Sequence, residues 1–193
     1  MAAHFAGLVL AGGAGQRYGT PKALALLPDG RSFLAACVEL LAEAGAAPIV
    51  ATLPPDMAQL ESPVFSALHL PVSGLAMFDS LRLGLKQLCD EQAWERVVVL
   101  PVDHPLVSAV SVRALAAVEA PAALPLYAGR HGHPVMLARA TAEHIVAGEL
   151  PGPTLRTVLQ TVNSVDVAVD DPGVRANCNT PEALAAAWNN RHI

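Results

Sequence analysis

The chain has 193 residues, of which 53% are hydrophobic and only 15% charged, with a formal charge of −5 at neutral pH. These proportions exclude a disordered chain, and the length allows one domain over residues 1–193 to bury its own core. No lysine or arginine run interrupts the spread of charge, which argues against duplex nucleic acid as a partner and leaves room for a small anionic ligand.

In chain order, residues 5–11 form a continuously apolar run cut off by Gly12 and Gly13, which predicts a buried strand. The run is too short to span a membrane and lacks the basic start of a signal peptide. A loop over 12–28 follows. Apolar residues then recur at helical spacing over 32–44 and stop at Gly45, predicting a helix, with a strand over 48–53 behind it. Asp79 and Ser80 are predicted to cap a helix whose buried stripe is Leu81, Leu85 and Leu88, and 97–100 reads as another interior strand. Ser108 can cap a helix carrying Val110, Ala114, Leu115 and Val118. Strands over 122–127 and 135–137 are joined by a short glycine and histidine turn, which favours antiparallel neighbours. Short helices over 141–147 and 154–161, a strand over 164–169 and a final helix capped by Thr180 complete the chain. Strands alternating with helices predict an α/β domain, its sheet mostly parallel with one antiparallel strand and its ligands at the carboxyl ends of the strands. Cys37, Cys89 and Cys178 are odd in number and lack C-x-x-C spacing, so neither zinc nor a disulfide framework is suggested, and a reducing cytoplasm is the expected setting.

The segment beginning at Leu10 reads L-A-G-G-A-G-Q-R-Y-G-T-P-K. It is not a dinucleotide fingerprint, because Tyr18 stands where the third glycine belongs, nor a Walker loop, because Pro21 precedes Lys22. What remains is a glycine-dense turn after a strand, whose amides can approach phosphate oxygens because few β-carbons stand in the way. Leu10, Ala11, Gly12, Gly13 and Gly15 are the predicted nucleotide-binding positions, with Arg17 and Lys22 neutralising a triphosphate; a loop bearing two solvated charges is the plainer alternative. The run V-V-V-L-P-V-D-H-P-L-V puts Asp103 just past a buried strand, at the ligand end of the sheet. One carboxylate there suffices for magnesium, which takes one or two protein oxygens and fills its shell with water and phosphate. A turn or helix-capping role is the alternative for Asp103, and a surface or hydrogen-bonding role for His104.

The glycine segment resembles the signature of nucleotidyltransferases that attach a nucleotide to molybdopterin, L-A-G-G, two or three residues, R-M-G, two residues, K. Arg17, Gly19 and Lys22 match, and Tyr18 replaces the usual methionine. The resemblance implies a three-layer, Rossmann-like nucleotidyltransferase fold, and magnesium bound by the aspartate of D-x-P, here Asp103. M-F-D-S-L-R-L-G-L from Met77 resembles the M-F-S-S stretch of the cytidylyltransferase branch, placing Ser80 and Arg82 as nucleotide contacts, although Ser80 also reads as a plain cap. G-R-H-G-H-P-V from Gly129 resembles that branch's G-x-P-G-H-P turn and implies an acceptor contact for His133. N-C-N-T-P-E-A-L from Asn177 resembles D-I-D-T-P-E-D of the cytidylyltransferases and N-x-N-T-P-E-E-L of the guanylyltransferases, implying a second metal oxygen from Asn177 or Asn179.

The middle motifs thus lean towards CTP, while L-A-G-G and N-x-N-T-P lean towards GTP. Carried over together, these motifs imply that Asp103 and one asparagine hold magnesium against the α-phosphate while Arg17 and Lys22 hold the β- and γ-phosphates. A phosphorylated small-molecule acceptor of molybdopterin type then displaces pyrophosphate, and a molybdoenzyme or its chaperone would receive the product. Neither nucleic acid nor membrane is an expected partner. The alternatives are guanylyl transfer, a more distant sugar-phosphate nucleotidyltransferase, and a non-catalytic carrier of nucleotide or cofactor.

Overall fold

The computed structural model describes residues 4–13, 20–57, 62–91, 94–150 and 152–190. Its centre is a sheet built from β1 (Phe5–Leu10), β2 (Ile49–Leu53), β3 (Ser66–His69), β4 (Arg96–Pro101), β5 (Ala122–Tyr127), β6 (Arg130–His131), β7 (Val135–Ala138) and β8 (Ser164–Ala168). The order is β3–β2–β1–β4–β7–β5–β6, with β8 also paired to β5. Strands β1, β2, β3 and β4 run parallel, as do β5 and β8. β7 is antiparallel to both β4 and β5, as its short connection predicts, and the two-residue β6 forms a second reversed pairing with β5. β1 and β2 are buried throughout, which is why their sequences are apolar without alternation.

Helices cover both faces. α1 (Phe33–Ala44), α3 (Ala109–Ala116) and α6 (Pro181–Asn190) supply one core, with Phe33, Leu41, Val112, Leu115 and Leu184 packed against it. α2 (Met77–Cys89), α4 (Arg139–Ala147) and α5 (Leu155–Leu159) supply the other, with Leu81, Leu85, Leu88, Ile145 and Val158. Local signals fix the ends. Ser32 accepts a hydrogen bond from the Ala35 amide at 3.1 Å, and Gly45 closes α1 in the left-handed conformation at φ 98°; a cap of this kind contributes about 1 kcal/mol. Ser108 and Thr180 cap α3 and α6 in the same way.

Three expectations need correction. β3 is a strand that the sequence pattern does not predict; it is a short, largely solvated edge strand defined by its pairing with β2. α2 starts at Met77, so Asp79 lies in its first turn and Ser80 inside it, with Ser80 Oγ donating back to the Ala76 carbonyl at 3.3 Å. Val110 is 68% exposed, because α3 turns Val112 and Leu115 inward instead.

One glycine sets the height of α2 over the sheet. A β-carbon at Gly84 would come within 2.5 Å of Leu8 Cδ1 and 3.2 Å of Thr52 Cγ2, so its absence lets the helix sit directly on β1 and β2. That contact delivers the first turn of α2 to the carboxyl end of β1, where the glycine loop begins. No helix among the described residues is long and apolar enough to cross a membrane.

Candidate active site

At the end of β1 the chain is pinned before it reaches the glycines. The Ala11 amide donates to the Thr52 carbonyl at 3.1 Å and the Thr52 hydroxyl at 3.3 Å, and the Leu10 carbonyl accepts from the Val102 amide. The amide of Ala11 is therefore taken up by β2 and unavailable to a phosphate, while Leu10 contributes a wall through its side chain. Gly12 is buried, and a β-carbon there would meet Leu70 Cδ1 at 2.2 Å; a β-carbon on Gly13 would meet no atom of the described residues within 4 Å. Gly12 is thus a packing glycine, whereas Gly13 is not crowded by any of the described residues. Gly15 and Arg17 lie outside the described residues.

On the next strand, Pro101 closes β4 and the His104 amide returns to the Pro101 carbonyl at 3.0 Å, a tight turn that lifts Asp103 above the strand end. The Asp103 carbonyl accepts from the Cys178 amide at 2.8 Å, which draws in the segment before α6. Lys22, at the start of a 3-10 turn over Lys22–Leu24, completes the group. Its Nζ stands 3.3 Å from Asp103 Oδ2 and also donates to Asn179 Oδ1. Both charged side chains are mostly buried, at 17% and 14% exposure, so the pair is less screened than a surface ion pair. Asn177 is exposed on the outer side of the same segment.

Lys22 and Asp103 border a cavity of about 250 Å³ whose walls also include Gly12, Gly13 and Ser80. Ser80 is itself buried. Arg82 is not in this cavity: the guanidinium donates to the Val146 carbonyl on α4 at 3.3 Å, because Arg82 lies on the flank of α2 that faces α4. A nucleotide contact from Arg82 is therefore not supported.

The G-H-P turn packs on the same rim from the far side. The His133 amide donates to the Val174 carbonyl at 2.8 Å, and a β-carbon on Gly132 would lie 2.2 Å from that oxygen, so glycine is what allows the approach. His133 and His104 face each other with ring centroids 4.7 Å apart. Burial, with the neighbouring His133 ring, pushes His104 down to about 4, and burial also lowers His133. Both rings are consequently neutral near pH 7, and their buried Nδ1 atoms have no hydrogen-bond partner among the described residues. Among the described residues no three His, Cys, Asp or Glu side chains gather into a metal-binding group. The Asp103 carboxylate and the Asn179 amide oxygen nevertheless converge on one cationic point. Two hard oxygens fit a magnesium-like ion that takes its other ligands from water and phosphate.

A mostly parallel sheet with two adjacent glycines, a lysine and a strand-end carboxylate on one rim fits the class of nucleotide-binding α/β transferases. The profile of the MobA-like NTP transferase domain matches residues 7–177, and the chain belongs to that family of nucleotidyltransferases. Among solved structures, Rv0371c from Mycobacterium tuberculosis H37Rv is similar with a TM-score of 0.80 at 23% identity, over 98% of this chain and 100% of that one. The same mycobacterial protein in complex with manganese aligns with a TM-score of 0.74 at 19% identity, over 97% and 99% of the two chains. Molybdopterin-guanine dinucleotide biosynthesis protein A from Archaeoglobus fulgidus aligns with a TM-score of 0.67 at 17% identity, over 95% and 97%. No curated protein matches the sequence.

Sequence reasoning missed two residues that build this site, Thr52 and Gly84. Gly84 carries a signal, since it is the glycine of the M-F-D-S-L-R-L-G-L stretch; Thr52 is one polar residue inside an apolar strand and becomes informative only when its partner Ala11 is known.

Proposed function

We propose that the chain transfers a nucleoside monophosphate from a nucleoside triphosphate, CTP ahead of GTP, to a phosphorylated acceptor of molybdopterin type, with magnesium as its cation. The observation that carries this reading is that Lys22 and Asp103 pair on the wall of one cavity that Gly12 and Gly13 also line, with Asn179 held to the Lys22 ammonium. Asp103 and Asn179 would hold the metal, with Asn177 too exposed to be the better ligand. When bound, the cation supplies positive charge against the α-phosphate. Lys22, released from the two oxygens, pairs with the β- and γ-phosphates, aided by Gly13 and by the Gly15 and Arg17 positions of the motif. An acceptor phosphate oxygen then forms a bond to the α-phosphorus as the bond to the bridging oxygen breaks, and pyrophosphate leaves carrying the electron pair. Positioning and charge neutralisation account for the rate, with no covalent enzyme intermediate.

The preference for CTP rests on the M-F-D-S and G-H-P resemblances, and the acceptor role of His133 on its place in the walls of two adjoining cavities. A molybdoenzyme or its chaperone would take the product. The test is pyrophosphate release with each of the four triphosphates, magnesium and molybdenum cofactor as acceptor. CTP should give the fastest turnover. A preference for GTP would reverse the base assignment, and tight nucleotide binding without pyrophosphate release would make the chain a carrier.

A further inference from the structure

Beyond the Lys22–Asp103 cavity, two more open on the same rim. One, of about 390 Å³, shares Leu10, Met77 and Pro101 with the nucleotide cavity, so the two are neighbours along the strand ends. The other, of about 620 Å³, continues past β5 and β8. His133, Leu155 and Arg156 border both, so these three residues stand at the junction.

The smaller cavity is walled mainly by Leu10, Phe78, Leu81, Val99 and Leu155. Apart from His133, Thr154 and Arg156 the lining is apolar, so most hydroxyls of a sugar or polyol would lose water without replacement, whereas a flat ring loses little. At the edge of this surface stands Arg156. It is exposed, and its guanidinium makes no hydrogen bond or ion pair with the described residues. Arg139 shows the alternative fate of an arginine in this fold, with its guanidinium tied to the carbonyls of Cys89, Glu91 and Trp94. The short helix that carries Arg156 is positioned by local chemistry. Thr154 accepts from the Thr157 amide at 3.2 Å, and Gly152, at φ +109°, lies so close that a β-carbon would be 2.5 Å from Thr157 Cβ. A fixed platform therefore presents an unpaired planar cation beside an apolar chamber, next to the site where phosphate chemistry occurs.

We propose that Arg156 anchors an anionic group of the acceptor substrate, and that the chamber of Phe78 and Leu155 selects acceptors with a planar heterocyclic body over polyol phosphates. The inference rests on the nucleotidyl-transfer reading and deepens it, because it assigns the acceptor side of the reaction to Arg156 and Leu155, which lie in none of the motifs, together with Phe78. Arg156 is the anionic anchor, His133 borders the route between the two cavities, and the nucleotide lies on the Lys22 side.

The test is fluorescence titration of the full chain, saturated with magnesium and CTP, with a pterin carrying a phosphate monoester and with the same pterin lacking it. Erythritol 4-phosphate serves as the polyol competitor. Wild type should bind the phosphorylated pterin about tenfold or more tightly than the unphosphorylated one, and erythritol 4-phosphate should compete poorly. Arg156→Gln should abolish the difference between the two pterins, Arg156→Lys should retain most of it, and CTP affinity should be the same in all three proteins. The proposal is overturned if the preference survives in Arg156→Gln, if the polyol phosphate competes as well as the pterin, or if wild type binds CTP but neither pterin. Failure of the nucleotidyl-transfer reading looks different: no triphosphate would bind with magnesium, whatever residue stands at 156.

Discussion

Lys22 and Asp103, 81 positions apart in the chain, form a mostly buried ion pair with Nζ 3.3 Å from Oδ2, and the same ammonium also holds Asn179. The lysine therefore sits against both oxygens that the proposed mechanism gives to a divalent cation. Under that mechanism metal and lysine would compete for them until a triphosphate draws the ammonium away. Lys22→Ala should bind Mn2+ without nucleotide about tenfold more tightly than wild type, as followed by electron paramagnetic resonance, and should bind triphosphate more weakly. A variant that loses metal affinity as well would show that Lys22 supports the metal site instead of competing for it.

The two asparagines separate by burial: Asn177 is exposed and Asn179 is on the ammonium. Asn179→Asp places a second carboxylate beside Asp103 and should lower the magnesium concentration for half-maximal activity by about tenfold. Asn177→Asp should leave it within about twofold. The reverse ranking in a magnesium titration would move the ligand to Asn177.

Gly12 and Gly13 make opposite predictions although they are adjacent. Gly12→Ala drives a methyl group into buried Leu70 and should cost about 1–3 kcal/mol of stability, read by denaturant unfolding. Gly13→Ala meets no atom of the described residues and should unfold like wild type, yet weaken triphosphate binding about tenfold if a phosphate occupies the space in front of it. Unchanged nucleotide affinity in Gly13→Ala would take this glycine out of the binding surface.

The cysteines give a pH-dependent check on packing. Burial pushes the Cys37 thiol far up and Cys178 up to about 11, and raises Cys89 to a lesser degree at its half-buried position. The thiolate is the reactive form, and at pH 8, below each raised value, almost all of it is protonated. A thiol reagent at pH 8 should therefore modify native protein slowly and at Cys89 first, faster as the pH rises, with Cys37 and Cys178 reacting only after unfolding in guanidinium. Rapid native labelling of Cys37 would contradict the core described around it.

Much of the frame was legible because its signals are local. The apolar run of β1 ends at glycines, Ser32 and Gly45 bracket α1, and Ser108 and Thr180 sit where caps belong. β3 escaped because Ser66, Ala67, Leu68 and His69 carry no pattern of their own; their strand exists through hydrogen bonds to β2, which sequence spacing does not contain. The start of α2 was misplaced because Met77 and Phe78, though apolar, precede the polar pair that resembles a cap. Motif positions brought Lys22, Asp103 and Asn179 together from distant parts of the chain, whereas Arg82 shows the limit of that reasoning: a motif gives the residue, but packing against α4 decides which way it faces. Arg156 carried no motif and becomes visible only through the cavities it borders.

The central claim, that Asp103 is the carboxylate on which metal-dependent nucleotidyl transfer depends, is tested most directly by Asp103→Asn, which keeps the shape of the side chain and removes its charge. Pyrophosphate release in the presence of magnesium, triphosphate and acceptor should fall by about a hundredfold or more. The thermal midpoint should change little, since the amide can still accept from Lys22. A variant that is equally well folded and releases pyrophosphate at close to the wild-type rate would contradict the account.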